Sequence, residues 1–251
     1  SAFRDDVILN ADQIYIEGEV EARALPAHPA VSVEMNADLL HVFSKNINDP
    51  MGGTQSGITG DLLDLHGIQN RIIDDGWIRT NGDIRINIPG SGESYASAMM
   101  TGVLTASKQL NNFIQGQAGT LETLSAGGVI EIITHTSVVL EGRSYVRGEG
   151  ARITVNAGTY FELSQIAGQM NSSDANSLIE VSAPQAVYIN GEILAGVEWS
   201  GGVKVMTGPG ADVRINTPHE LKIFGAITSS DVMELTGGSD QHYNERITET
   251  A

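Results

Sequence analysis

Cysteine is absent from the 251 residues. Disulfides, thiolate metal sites and cysteine nucleophiles are therefore excluded together. Aromatic side chains are scarce, at 5% of the chain, so any core is built from Ile, Val and Leu rather than rings. Those branched side chains suit pleated strands. Proline is modest at 7 residues, and glycine at 29 is plentiful without a collagen-like period. Basic residues are few: 14 Lys and Arg face 31 Asp and Glu, a formal charge of -17. Such a surface repels phosphate backbones and anionic bilayers, so no nucleic-acid partner is expected. No run of apolar residues is long enough to cross a bilayer, and membrane insertion is not expected. The chain opens Ser1-Ala2-Phe3 with no leader-like segment. A processed chain, or a piece of a larger one, is the expectation.

What is present is an internal repeat. Leu9-Asn10-Ala11-Asp12-Gln13-Ile14-Tyr15-Ile16 and Met35-Asn36-Ala37-Asp38-Leu39-Leu40-His41-Val42 match in phase, 26 residues apart. The later half repeats the theme as two alternating apolar pairs. Ile130 and Ile132 precede Val138 and Leu140; Ile153 and Val155 precede Phe161 and Leu163. Ile179 and Val181 precede Val187 and Ile189; Val213 and Ile215 precede Leu221 and Ile223. In each unit the second pair ends 8 residues after the first. A glycine and a further apolar residue often follow, as in Gly191 with Ile193 and Gly225 with Ile227.

Alternation at period two marks half-buried strands. Paired strands followed by a glycine corner describe one coil of a right-handed parallel β-helix, a β-solenoid. Leu140, Leu163, Ile189 and Ile223 step by 23, 26 and 34 residues. That unevenness suits loops leaving the corners and does not suit propeller blades of about 40–50 residues. An antiparallel sandwich is the competing architecture. It would use Asn190-Gly191, Asn81-Gly82 and Asp75-Gly76 as hairpin turns. The recurring phase favours the solenoid, as a single domain over residues 1–251.

Two stretches break the pattern. Residues 46–60, rich in Asn, Gly and Pro, predict a loop insertion. Residues 94–115 predict a helical insertion, because Met99, Val103, Ala106, Leu110 and Phe113 or Ile114 fall on one helical face. Glu93-Ser94 can cap its start and Gly116 can end it. Gly102 inside it costs about 1 kcal/mol against alanine.

Two phrases carry a resemblance. They are Val7-Ile8-Leu9-Asn10-Ala11-Asp12-Gln13-Ile14-Tyr15-Ile16-Glu17-Gly18-Glu19-Val20 and Ala151-Arg152-Ile153-Thr154-Val155-Asn156-Ala157-Gly158. They resemble repeats of large bacterial exoproteins of the filamentous-haemagglutinin-like kind, whose shafts are β-helical. The resemblance spans roughly residues 5–45 and 120–238. That family's shorter, more regular repeat is not kept here. The resemblance implies export, an extended shaft, and a structural or adhesive role at the cell surface, in a filament or surface layer.

Catalytic signatures are sparse, and no enzyme activity is expected. His28, His41, His66, His135, His219 and His242 have no metal-pair spacing. No nucleophile elbow or phosphate loop occurs. A carbohydrate-active β-helix, lyase or tailspike-like glycosidase, is the enzyme alternative. Its carboxylates would come from Asp74 and Asp75 beside Trp77, or from Glu141 with Arg143 and Arg147. Trp77 and Trp199 are the candidate carbohydrate contacts. A calcium-dependent binding module is the other alternative, since dispersed carboxylates suit hard cations. Gly208-Pro209-Gly210-Ala211-Asp212 and Gly237-Gly238-Ser239-Asp240 are only fragments of a calcium-loop signature. No other cofactor is expected. Asn10, Asn36, Asn87, Asn156 and Asn216 each follow or end a strand pattern and predict a stacked amide ladder. Uncapped strand edges predict self-association with further copies of the chain.

Overall fold

The computed structural model describes residues 7–17, 19–21, 32–43, 57–60, 62–74, 76–80, 83–90, 97–100, 103–106, 127–165, 168–238, 241–243 and 247–249. The protein is all-β with long parallel sheets, and the described residues contain no helix.

The strands form three parallel ladders, visited in strict rotation. The first holds Val7–Asn10, the leading parts of Ser32–Val42 and Leu62–Asp74, then Ile84–Ile88, Val129–Thr134, Arg152–Ala157, Leu178–Ser182, Asp212–Asn216 and Met233–Thr236. The second holds Gln13–Ile16, the trailing parts of the same two long strands, then Ser97–Met100, Val138–Leu140, Tyr160–Leu163, Ala186–Ile189, Glu220–Ile223 and Gln241–Tyr243. Because the two long strands pass through both ladders unbroken, these form one 16-stranded sheet. The third ladder is a 9-stranded sheet: Glu19–Glu21, Gly57–Gly60, Trp77–Thr80, Val103–Ala106, Arg143–Val146, Gln169–Ser172, Glu192–Ala195, Ala226–Ser229 and Ile247–Glu249.

Register follows the apolar pairs. Leu9 lies opposite Met35 and Ile14 opposite Leu40. Ile130, Ile153, Ile179 and Val213 stack in one inward column. Val138, Phe161, Val187 and Leu221 stack in another. These inward residues are fully buried. A one-residue slip would turn every one of them to solvent, which fixes the register.

Two kinds of corner join the ladders. Between the second and third, Gly168, Gly191 and Gly225 recur, and space decides their identity. A Cβ on Gly191 would lie 2.1 Å from the Gly168 carbonyl oxygen. Asn190-Gly191 is therefore a corner and not a hairpin turn. Between the third and first ladders, conformation decides. Gly150, Asn176 and Gly210 have φ of 73°, 55° and 73°. Asparagine tolerates this left-handed region better than most side chains.

The predicted insertions are corrected where the chain is described. Residues 97–100 and 103–106 are strands, not helix. Ala98, Met100 and Leu104 are buried at period two. Partners on both sides satisfy their backbones: Leu62–Asp74 and Val138–Leu140 for one strand, Trp77–Thr80 and Arg143–Val146 for the other. These ladder bonds outweigh a helical spacing that a small Ala98 had left unopposed. The rest of 94–115 lies outside the described residues. Within 46–60, Gly57–Gly60 is a strand between Glu19–Glu21 and Trp77–Thr80, with Ile58 buried. Residues 46–56 lie outside the described residues.

Among the described residues one antiparallel pair departs from the ladders: Val197–Ser200 with Val203–Met206. It turns at Gly201-Gly202, with φ of 58° and 83°, the conformation a tight hairpin demands. This hairpin lies over the third ladder, where Lys204 Nζ donates to Thr228 Oγ1 at 2.8 Å.

Candidate functional site

A groove of about 380 Å³ runs along the glycine corner between the second and third ladders. Its floor is bare backbone, because Gly168, Gly191 and Gly225 carry no side chains. Arg143, Gln169, Glu192 and Ala226 form one bank; they stand one above another near the start of successive third-ladder strands. Asn190 and the exposed ring of Phe224 lie across the corner.

The bank is tied by a chain of hydrogen bonds. Tyr145 donates its hydroxyl to Gln169 Oε1 at 3.0 Å, and Gln169 Nε2 donates to Glu192 Oε2 at 3.1 Å. Trp199 Nε1 donates to the same carboxylate oxygen at 2.9 Å. Lys204 Nζ lies 3.1 Å from Glu192 Oε1 and 5.3 Å from the Trp199 ring centroid. The Glu192 charge is thus balanced locally, and the indole is held by two contacts while half its surface stays open.

A second polar cluster faces outward from the second ladder beside this groove. Tyr188 donates its hydroxyl to Glu220 at 2.5 Å, Lys222 pairs with Glu220 at 2.6 Å, and Asn190 Nδ2 donates to Glu162 at 3.3 Å. The bond to Glu220 is the main reason the Tyr188 phenol titrates above its ordinary value of 10.0; partial burial and the charges of Glu220 and Glu162 add to it. A raised acid pKa favours the protonated form in the folded state. Its stabilising contribution is full below pH 10 and is lost as pH rises through the folded value. Alkaline absorbance titration is expected to show a late-titrating tyrosine that Tyr188→Phe removes. An unchanged titration in that variant would refute the assignment.

The residues singled out from sequence are placed as follows. Asn10 and Asn36 lie opposite each other, and Asn36 Nδ2 donates to Asn10 Oδ1 at 2.8 Å. Asn87, Asn156 and Asn216 occupy one column but never touch, since Ile133 and Ser182 alternate with them. Trp77 faces outward on the third ladder, four strands before Glu192, so about 19 Å separates it from the Glu192–Trp199 pair. The structure does not bring the two tryptophans together. Arg143 opens the strand Arg143–Val146 and Arg147 follows its last residue, and both are exposed.

Asp74, weighed above as a catalytic carboxylate beside Trp77, faces the core. It occupies an inward column between Val42 and Met100 and is fully buried. Its Oδ1 accepts the Gly76 N–H at 3.1 Å, a local turn bond. Asp75 lies outside the described residues. Among the described residues no group of three or more His, Asp and Glu is placed to hold a metal ion.

Sequence reasoning missed a paired signal. Asp83-Ile84-Arg85-Ile86-Asn87 and Asp212-Val213-Arg214-Ile215-Asn216 agree at every position but the second, where Ile84 stands against Val213. Asp83 Oδ1 accepts the N–H of Val129, and Asp212 Oδ1 that of Val232, so each carboxylate binds the start of the next rung. Comparison with known proteins adds no relative: no family model matches the chain, and neither a curated protein nor a solved structure matches it.

Proposed function

We propose that the chain is a stretch of right-handed parallel β-helix that serves as the shaft of a secreted or cell-surface protein, structural or adhesive rather than catalytic. The observation that carries this reading is the in-register stacking of three parallel ladders, where each round of chain rests on the round before it. Right-handedness rests on the general twist of strands, which makes parallel crossovers right-handed in nearly all sheets. Nine third-ladder strands at ~4.8 Å spacing give a stack about 40 Å tall. A stack of this kind is stiff, because each rung is held by two neighbours along its whole length.

The reading includes self-association. Strand edges at the two ends of the stack can pair with further rungs, from the same chain or another copy. The formal charge of -17 opposes close approach, so salt or calcium favours association by screening. Electron microscopy and size-exclusion chromatography of the full chain across a calcium series test this. Rods lengthening with ionic strength are expected. A compact particle that stays monomeric under every condition would sink the proposal.

A further inference from the structure

We infer that the corner groove is a binding site for a neutral, linear glycan laid along the stack. This rests on the adhesive reading and names what the shaft adheres to. Three observations carry it. The first is the shape. Gly168, Gly191 and Gly225 leave three successive rungs without side chains, because a Cβ at each would lie 2.4, 2.1 and 1.8 Å from a backbone carbonyl oxygen. The trough so formed runs across the strands, and its walls repeat at the rung spacing of ~4.8 Å. A polymer of repeating units fits such a wall better than a compact ligand does.

The second observation is the chemistry of the walls. The Gln169 and Asn190 amides are already bonded to Tyr145, Glu192 and Glu162, but each keeps a second N–H to donate and acceptor capacity on its oxygen. Sugar hydroxyls likewise donate and accept. Arg143 and Gln165 stand exposed at the mouth. Phe224 lines the groove and is 55% exposed, so about half of its apolar surface is open to a ligand. The apolar C–H face of a sugar ring is the natural cover for it.

The third observation is charge. Glu192 is the carboxylate of the groove and Lys204 neutralises it at 3.1 Å, which leaves the exposed Arg143 guanidinium as the one further charged group among the lining residues. The chain as a whole repels polyanions. A neutral glycan meets neither penalty. Glu192 accepts from Gln169, Trp199 and Lys204 together, so its work is to hold the wall in place before the ligand arrives.

Trp199 makes the test direct, because its indole is bonded to that wall. The chain has two tryptophans, and Trp77→Phe leaves Trp199 as the single reporter. Its emission would be titrated with a cello-, a manno- and a malto-oligosaccharide, with a polygalacturonate as the anionic probe and an extended neutral peptide as the other linear polymer. A saturable change with at least one neutral oligosaccharide is expected, insensitive to salt, and absent with the polyanion. Phe224→Ala, at an exposed position where folding is not threatened, should weaken it about tenfold, the loss of one stacked ring. No saturable change with any of the three sugars at ~10 mM would overturn the inference. So would preference for the peptide or the polyanion, or binding indifferent to both Phe224→Ala and Asn190→Ala. Rod formation in the microscope is read separately, so an empty groove on an intact rod refutes the glycan and spares the shaft.

Discussion

Gly225→Ala is expected to destabilise the protein by about 3 kcal/mol, the upper range for forcing one extra carbon into a filled space. The added Cβ would lie 1.8 Å from the carbonyl oxygen of Gly191 and 2.8 Å from the Asn190 carbonyl group. These are backbone atoms and cannot rotate aside. Gly191 is itself pinned, its N–H bonded to the Leu163 carbonyl at 3.0 Å, while Gly225 N–H is bonded to the Ile189 carbonyl at 2.9 Å. Relief therefore requires two rungs to separate. Conformation is not the cause, since Gly225 does not have a positive φ. Gly201 supplies the contrast. Its φ is +58° but nothing lies within 4 Å of its built Cβ. Gly201→Ala should cost only the left-handed penalty of about 1 kcal/mol. Urea unfolding of both variants checks the difference; equal losses would show that crowding at the corner is not what selects glycine.

The same corner explains how far the sequence could be read. The first and second ladders were legible because Ile, Val and Leu alternate cleanly in them, as in Ile153, Val155, Phe161 and Leu163. The third ladder was not. Its strands are about four residues long, and several inward positions hold Thr80, Ser144 and Ser172 instead of large apolar groups. Period two is hard to see when small polar residues take several of the buried positions. Ala98 hid the rung at Ser97–Met100 in the same way, and Met99, Val103 and Ala106 then mimicked a helix. The burial of Asp74 had no signal in the sequence, because burial of an acid is the rarer outcome. The groove had no local signature at all. Gln165, Asn190 and Phe224 are far apart in sequence and meet only because successive rounds align. Trp199 was legible as a residue type, while its tie to Glu192 depended on where the hairpin folds.

Phe161→Ala is expected to cost about 3–5 kcal/mol, the usual range for a buried aromatic truncated to alanine. Among the described residues Phe161 is the one fully buried phenylalanine and the largest fully buried side chain. It stacks between Val138 and Val187 in the second ladder's inward column. Those neighbours are β-branched and short, with few rotamers, so they cannot swing into the space left behind. The cavity should persist and add to the lost transfer energy. Because rungs touch only their neighbours, the damage should stay local. Amide hydrogen exchange should accelerate in Val138–Leu140, Tyr160–Leu163 and Ala186–Ile189 and stay slow in Ser32–Val42. Phe224→Ala provides the control, since that ring is exposed and its removal should change stability by no more than about 0.5 kcal/mol. A loss below about 1 kcal/mol for Phe161→Ala, or acceleration spread evenly over all three ladders, would contradict a core held rung by rung.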